Sequence, residues 1–174
     1  MKSKIAGDTL EKKMYHTQER RLRRLSEPKP CGRANAWLGC AYYFWYDERD
    51  AHFWGNNSKR ETGYFEIYSA SIDTEDLLDT VFNEEQYLFW VKQIEFVATK
   101  LKKSGKVVSL KSINEYFYEK GIWSDVSGIL FQDISGNPDN YLVNNFQYKK
   151  RIQLAVFDLK IVSNFALDFE GQCV

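Results

Sequence analysis

The stretch "LGCAYYFWYDERDAHFWG", Leu38–Gly55, holds seven aromatic residues in eighteen positions, with the charged run "DERD" in its middle. One reading is a buried strand, "AYYFWY", followed by an amphipathic helix, "ERDAHFWG". The other adds a wall of rings for a flat ligand. Residues 41–46 have strand composition throughout, because aromatic side chains fit a pleated, half-buried surface. Asp47 then serves as the helix N-cap and Gly55 as its stop. Glu48, Arg49 and Asp50 become the solvated face of that helix, and the charges need no ligand.

Around this stretch, the 174 residues suit a flexible N-terminus, 1–12, and a single domain, 13–174. Aromatic content is 16%, and rings offer both buried area and stacking surface. Lys and Arg number 24, as do Asp and Glu. Binding to nucleic acid or membrane must therefore rest on local patches. Three cysteines at unpatterned spacing and two histidines argue against a disulfide framework and a metal cage. The N-terminus lacks an apolar signal region, and no run is long enough to span a membrane. A cytoplasmic setting is expected.

Along the chain, residues 13–17 read as a short strand. The run "ERRLRRLSEPKP" reads as a helix stopped by Pro28 and Pro30, with Leu22 and Leu25 on one face. "YFEIYSASI" alternates as a strand, and "DTEDLLDTVF" reads as a capped turn of helix starting at Thr74. The longest helix, within residues 83–105, carries an apolar stripe through Leu88, Val91, Ile94 or Glu95, Val97 or Ala98, and Leu101. Ser112, Glu115 and Gly121 read as a capping box and stop. "GILFQDI", "RIQLAVFDL" and "KIVSNFALDF" read as strands, the last broken near Ser163 and Asn164, with "SGNPDN" as a turn. The fold class is α+β with a mostly antiparallel or mixed sheet.

Taken alone, His16 in "MYHTQ" is a polar residue where a strand leaves the sheet. The strand-end "YHT", followed by "LGCAYYFW" with "ERDAHFWG" behind it, resembles the ADP-ribosyltransferase superfamily, in the His-Tyr-Glu branch of diphtheria toxin and the poly(ADP-ribose) polymerases. Tyr15, His16, Thr17, Leu38, Gly39, Tyr43, Phe44, Trp45, Ala51 and Trp54 carry the likeness, with "SASIDTEDLLD" and "KKRIQLAVFD" further on. Resemblance covers most of residues 13–165. It implies split β-sheets with flanking helices around an NAD cleft. Thr17 directly follows His16, where relatives have glycine, so the backbone of Thr17 or Gln18 would clamp the nicotinamide amide. Tyr43, with Tyr42 as the competitor, would stack on the nicotinamide ring. Gln153 stands at the third motif position, glutamate in polymerising members.

The implied chemistry is cleavage of the nicotinamide–ribose bond of NAD and transfer of ADP-ribose to a nucleophile, through an oxocarbenium-like transition state. His16 would hold the adenosine ribose, and Gln153 the nicotinamide ribose and the acceptor. A neutral amide is no general base, which favours a single transfer over chain growth. The acceptor's proton would then go to Glu66, Asp133 or Asp158, or to another group of the acceptor itself. Gln153 also reads as a polar residue on the outward face of an edge strand.

The run Arg20–Arg24 reads either as a solvated helix face or as a cleft rim binding the NAD pyrophosphate or nucleic-acid phosphates, Arg20 foremost. The expected function is a mono-ADP-ribosyltransferase toxin of a toxin–antitoxin or phage-defence system. RNA is the preferred acceptor and protein the alternative. An antitoxin protein, with or without a chaperone, would be its partner. The competing classes are a non-catalytic module for ADP-ribose, NAD or protein, and a ribonuclease-type toxin using His16 and the arginines.

Overall fold

A computed structural model of the protein describes residues 11–33, 36–58, 61–133, 143 and 148–174. The strands are β1 (Glu11–Glu19), β2 (Tyr42–Trp45), β3 (Tyr64–Asp73), β4 (Leu77–Asp79), β5 (Gly128–Asp133), β6 (Arg151–Val156) and β7 (Val162–Gln172). The helices are α1 (Glu48–Ser58), α2 (Glu84–Lys103) and α3 (Leu110–Glu119). Among the described residues, the seven strands join one mixed sheet, ordered β4-β5-β6-β2-β1-β3-β7, in which only the β4–β5 pair is parallel. The α+β class holds. The two separate sheets expected are instead one sheet with a thin seam. β1 pairs with β3 at nine register positions and with β2 at one, Tyr15 opposite Trp45.

Alternation assigns the faces. On β6, Ile152, Leu154 and Val156 enter a cluster with Met14, Phe44 and Leu130. Ala155 points the other way, into a cluster with Val97 and Leu101 of α2 and Phe117 of α3. β6 lies between β5 and β2, so Gln153 is on a central strand and not an edge. The same logic explains β4, which replaces the expected helical turn. Leu77 packs into one cluster and Leu78 into the other, and only a strand sends adjacent side chains to opposite faces. Thr74 sits in the preceding turn, its carbonyl accepting from the Leu77 N–H at 3.4 Å.

Several other boundaries differ from expectation. β1 runs on to Glu19, and residues 20–30 form no helix. Leu22 is fully exposed, so a helix there would have no apolar stripe to bury. The segment is pinned instead by its backbone, with Leu25 N–H donating to the Tyr68 hydroxyl at 3.0 Å. Gly55 does not stop α1. It lies inside the helix against Phe65, whose ring a Cβ would meet at 2.2 Å. The capping box of α3 sits one turn early, at Ser109 with Ser112, and Gly121 follows the helix at φ 66°. Asn164 does not end a strand. It takes a positive φ of 53° inside β7, near a register shift against Ser69 and Ser71. Leu88 is not part of the buried stripe of α2, whose buried residues are Val97 and Leu101. The expected turn "SGNPDN" and residues 1–10 lie outside the described residues.

Candidate functional site

Beyond the Tyr15–Trp45 pair, continued register would set Thr17 opposite Tyr43. The strands do not make that pair. The His16 imidazole bridges the seam instead, its Nδ1 2.9 Å from the Tyr43 carbonyl. A carbonyl can only accept, so Nδ1 carries the proton. Nε2 is then the acceptor, and takes the Lys29 N–H at 3.4 Å. His16 is buried, its ring against Phe44 and Phe165 at 5.5 and 6.1 Å. The adjacent Thr17 hydroxyl donates to the Ala51 carbonyl of α1 at 3.0 Å.

A cavity of about 550 Å³ adjoins this seam. His16 and Thr17 of β1, Tyr43 of β2 and Gln153 of β6 all line it. The chain thus brings together the histidine, tyrosine and glutamine that the sequence singled out. Tyr42 is on the opposite sheet face, packed against the cluster of Leu154 and Val156, so Tyr43 is the residue of the pair that reaches the cavity. Its hydroxyl donates to the Gly39 carbonyl at 2.9 Å and accepts from Leu38 N–H at 3.1 Å. Burial pushes its pKa up to about 12. These bonds fix the ring to the turn ahead of β2 and leave the hydroxyl engaged.

The arginine run contributes less than expected. Arg21 lines the cavity. Arg20 instead lies over the Tyr64 ring at 5.5 Å, and Arg24 pairs with Glu170 at 3.1 Å. Of the three candidate proton acceptors, only Asp133 lines the cavity. Glu66 is buried and accepts from the Tyr68 hydroxyl at 2.6 Å, while Asp158 caps the 3-10 turn Leu159–Ile161.

Lys29, Arg33 and Arg151 of the cavity lining have no counterpart in the sequence reading. Arg151 shares Gln153's face of β6, is buried, and lines the cavity. Its guanidinium pairs with Asp133 at 3.3 Å and lies over the rings of Trp45 and Trp54 at 4.6 and 5.7 Å. Its Nε is buried with no hydrogen-bond partner among the described residues. Burial raises the carboxyl pKa of nearby Asp50, against the pull of Arg151. The alternation of "RIQ" was the available signal. A charged residue opening a strand reads as solvated until its partners on β2, α1 and β5 are known. Among the described residues, the charged lining is Arg21, Lys29, Arg33 and Arg151 against Asp133, four cations to one carboxylate beside aromatic walls. Such a cavity suits an anionic ligand with flat groups.

Compared with known proteins, the chain matches no family model, no curated protein and no solved structure. Among the described residues, no helix is long and apolar enough to cross a membrane.

Proposed function

We propose that the protein is an NAD-dependent mono-ADP-ribosyltransferase, with the cavity at the β1–β2 seam as its donor site. The observation that carries this reading is the convergence of His16, Tyr43 and Gln153, from three different strands, on one cavity with a cationic and aromatic lining. Cationic side chains would meet the pyrophosphate, and aromatic walls the flat rings. The Tyr43 ring remains the stacking candidate, and Gln153 the group for the nicotinamide ribose.

In the reaction, the bond between the ribose carbon and the nicotinamide nitrogen breaks. Its electron pair leaves with nicotinamide, and the acceptor's nucleophile adds to the ribose carbon and gives up a proton. Asp133, the carboxylate among the described lining residues, is the group we assign to take that proton. His16 has both ring nitrogens engaged, so contact with a ribose hydroxyl requires exchange of the long Lys29 bond at Nε2. We take the acceptor to be RNA, because Arg21, Lys29 and Arg33 border the cavity and phosphates favour such a rim. The biological reading is a toxin held in check by an antitoxin.

His16's engagement and the neutral Gln153 favour a second reading, a non-catalytic module that binds NAD or ADP-ribose. Nicotinamide release from NAD, measured beside NAD binding, separates the two. Release that falls about 100- to 1000-fold in Gln153→Ala, with binding retained, supports the transferase. Binding without release supports the module. Neither binding nor release overturns both.

A further inference from the structure

α2 presents a second surface that the cavity does not use. With about 100° per residue, Glu85, Leu88, Phe89, Lys92, Phe96, Thr99 and Lys103 fall on one stripe of this helix. Trp90, Ile94, Val97 and Leu101 fall on the opposite side and pack against the sheet and α3. The outer stripe carries large apolar side chains in water: Leu88 is 57% exposed, Phe89 46% and Phe96 67%. Large apolar side chains exposed along one helix face are the surface that an interaction site presents.

The charges on the stripe indicate what covers it. The first turn of α2 carries Glu84 and Glu85 and its last turn Lys100, Lys102 and Lys103, and of these Glu85 and Lys103 lie on the stripe. Glu85 and Lys103 are eighteen residues apart, which is about five turns and 27 Å, so both project from the same face. Lys100 is turned inward, donating to the Tyr116 hydroxyl at 2.9 Å. Among the described residues, Glu85, Lys92 and Lys103 make no salt bridge within the chain. A twofold axis crossing the helix near Ile94 would pair residues whose numbers sum to 188. Glu85 would then meet Lys103 of the other copy, and Lys92 would lie over its Phe96. The stripe is complementary to itself when antiparallel, as an isologous twofold interface requires.

We propose that the outer face of α2 is the contact surface of a homodimer, formed by antiparallel packing of α2 against the same helix of a second copy. Phe96 lies nearest the axis with Phe89 and then Leu88 farther out, and the two Glu85–Lys103 pairs fix direction and register. The helix ends are rim positions, where charge sets orientation more than affinity. None of the stripe residues lines the cavity at the β1–β2 seam, so the dimer stands or falls apart from the reading of that cavity.

Light scattering coupled to size-exclusion chromatography on the full chain tests this. The wild type is expected at twice the 20.5 kDa chain mass. Phe96→Glu is expected at one chain mass with an unchanged circular dichroism spectrum, since an exposed side chain carries little folding energy. Glu85→Lys and Lys103→Glu should each weaken dimerisation roughly tenfold, about 1.4 kcal/mol. The double variant should restore it, because each pair is remade with its charges exchanged. A wild type that stays monomeric at millimolar concentration overturns the proposal and leaves the stripe to a different protein. So does a Phe96→Glu variant that remains dimeric, or a double variant no better than its parents.

Discussion

β1 is sealed in two different ways on its two sides. Against β3, nine register positions from Glu11–Asp73 to Glu19–Phe65 carry backbone pairing. Against β2 there is one pair, and beyond it side chains take over. The His16 ring serves the Tyr43 carbonyl, and the Thr17 hydroxyl serves Ala51. Backbone ladders leave neighbouring strands about 4.8 Å apart, with no room between them. At the seam the His16 ring satisfies the Tyr43 carbonyl in place of a strand partner. The polar groups behave accordingly. On the closed side, Glu66 and Tyr68 are buried and satisfy each other. On the open side, His16, Gln153 and Arg151 line a cavity.

The largest break in this contrast comes from Arg151. Arg151→Met removes one partner of a buried ion pair and strands Asp133, which costs about 3–5 kcal/mol. In a domain of this size that lowers Tm by roughly 6–20 °C. Thermal unfolding measures it, and the Arg151→Met/Asp133→Asn double variant should recover part of the loss. Wild-type stability in the single variant would mean that the pair is not desolvated.

Next in size is His16→Ala, which leaves the Tyr43 carbonyl and the Lys29 N–H without their partner. The expected cost is about 2 kcal/mol. The matched substitution on the closed side is Ser69→Ala, opposite Tyr15 on β3. It should change stability by no more than about 0.5 kcal/mol. Equal effects in urea titration would erase the distinction between the two sides.

How far these features could be read from sequence depends on where the deciding partner lies. β2 was legible from its aromatic composition, and β3 and β6 because period-two alternation is local; "RIQLAV" carries its own face assignment. α2 was legible as a helix, but Leu88 was set on its inner face because an apolar residue says nothing about whether a surface stands opposite it. β4 was missed because "DLLD" is too short to show a period. Its two leucines make sense only with a core on each side of the sheet. The run 20–24 has good helix formers, and the sequence could not show that nothing packs on Leu22. His16, Tyr43 and Gln153 were singled out through the resemblance, and the described lining brings the three to one cavity. Arg151 was missed because its burial is produced by Trp45, Trp54 and Asp133, from three other elements.

A smaller effect is expected from Tyr43→Phe. The ring stays in the cavity wall, while the Leu38 N–H and Gly39 carbonyl lose the hydroxyl that joins them. Each bond contributes about 0.5–1.5 kcal/mol, and solvent near the half-buried turn offsets part of the loss. Stability should fall by about 1 kcal/mol, and under the proposed function NAD binding should be retained. A greater loss of NAD binding than of stability would show that the hydroxyl, and not the ring, meets the ligand.

The smallest expected effect is a pH dependence on the open side. Asp50 is buried beneath the seam, and desolvation raises its carboxyl pKa above the ordinary 3.8, while Arg151 opposes and Asp47 adds to the shift. A carboxyl that binds its proton more tightly when folded makes folding less favourable once it ionises. Stability from this group is therefore gained as pH falls from neutral through the raised value towards 3.8. Asp47 has the opposite sign. Its hydrogen bond from the Arg49 side chain holds the pKa below 3.8, so its contribution is present above 3.8 and lost as pH falls through the lowered value. The two windows do not overlap, which makes them separable. Asp50→Asn should be more stable than the wild type at pH 7, and the difference should shrink as pH approaches 4. Urea unfolding at a series of pH values reads the difference directly. A gap that stays constant from pH 7 to pH 4 would mean that Asp50 keeps its solvent when the protein folds, and that the open side of β1 is wetter than its packing implies.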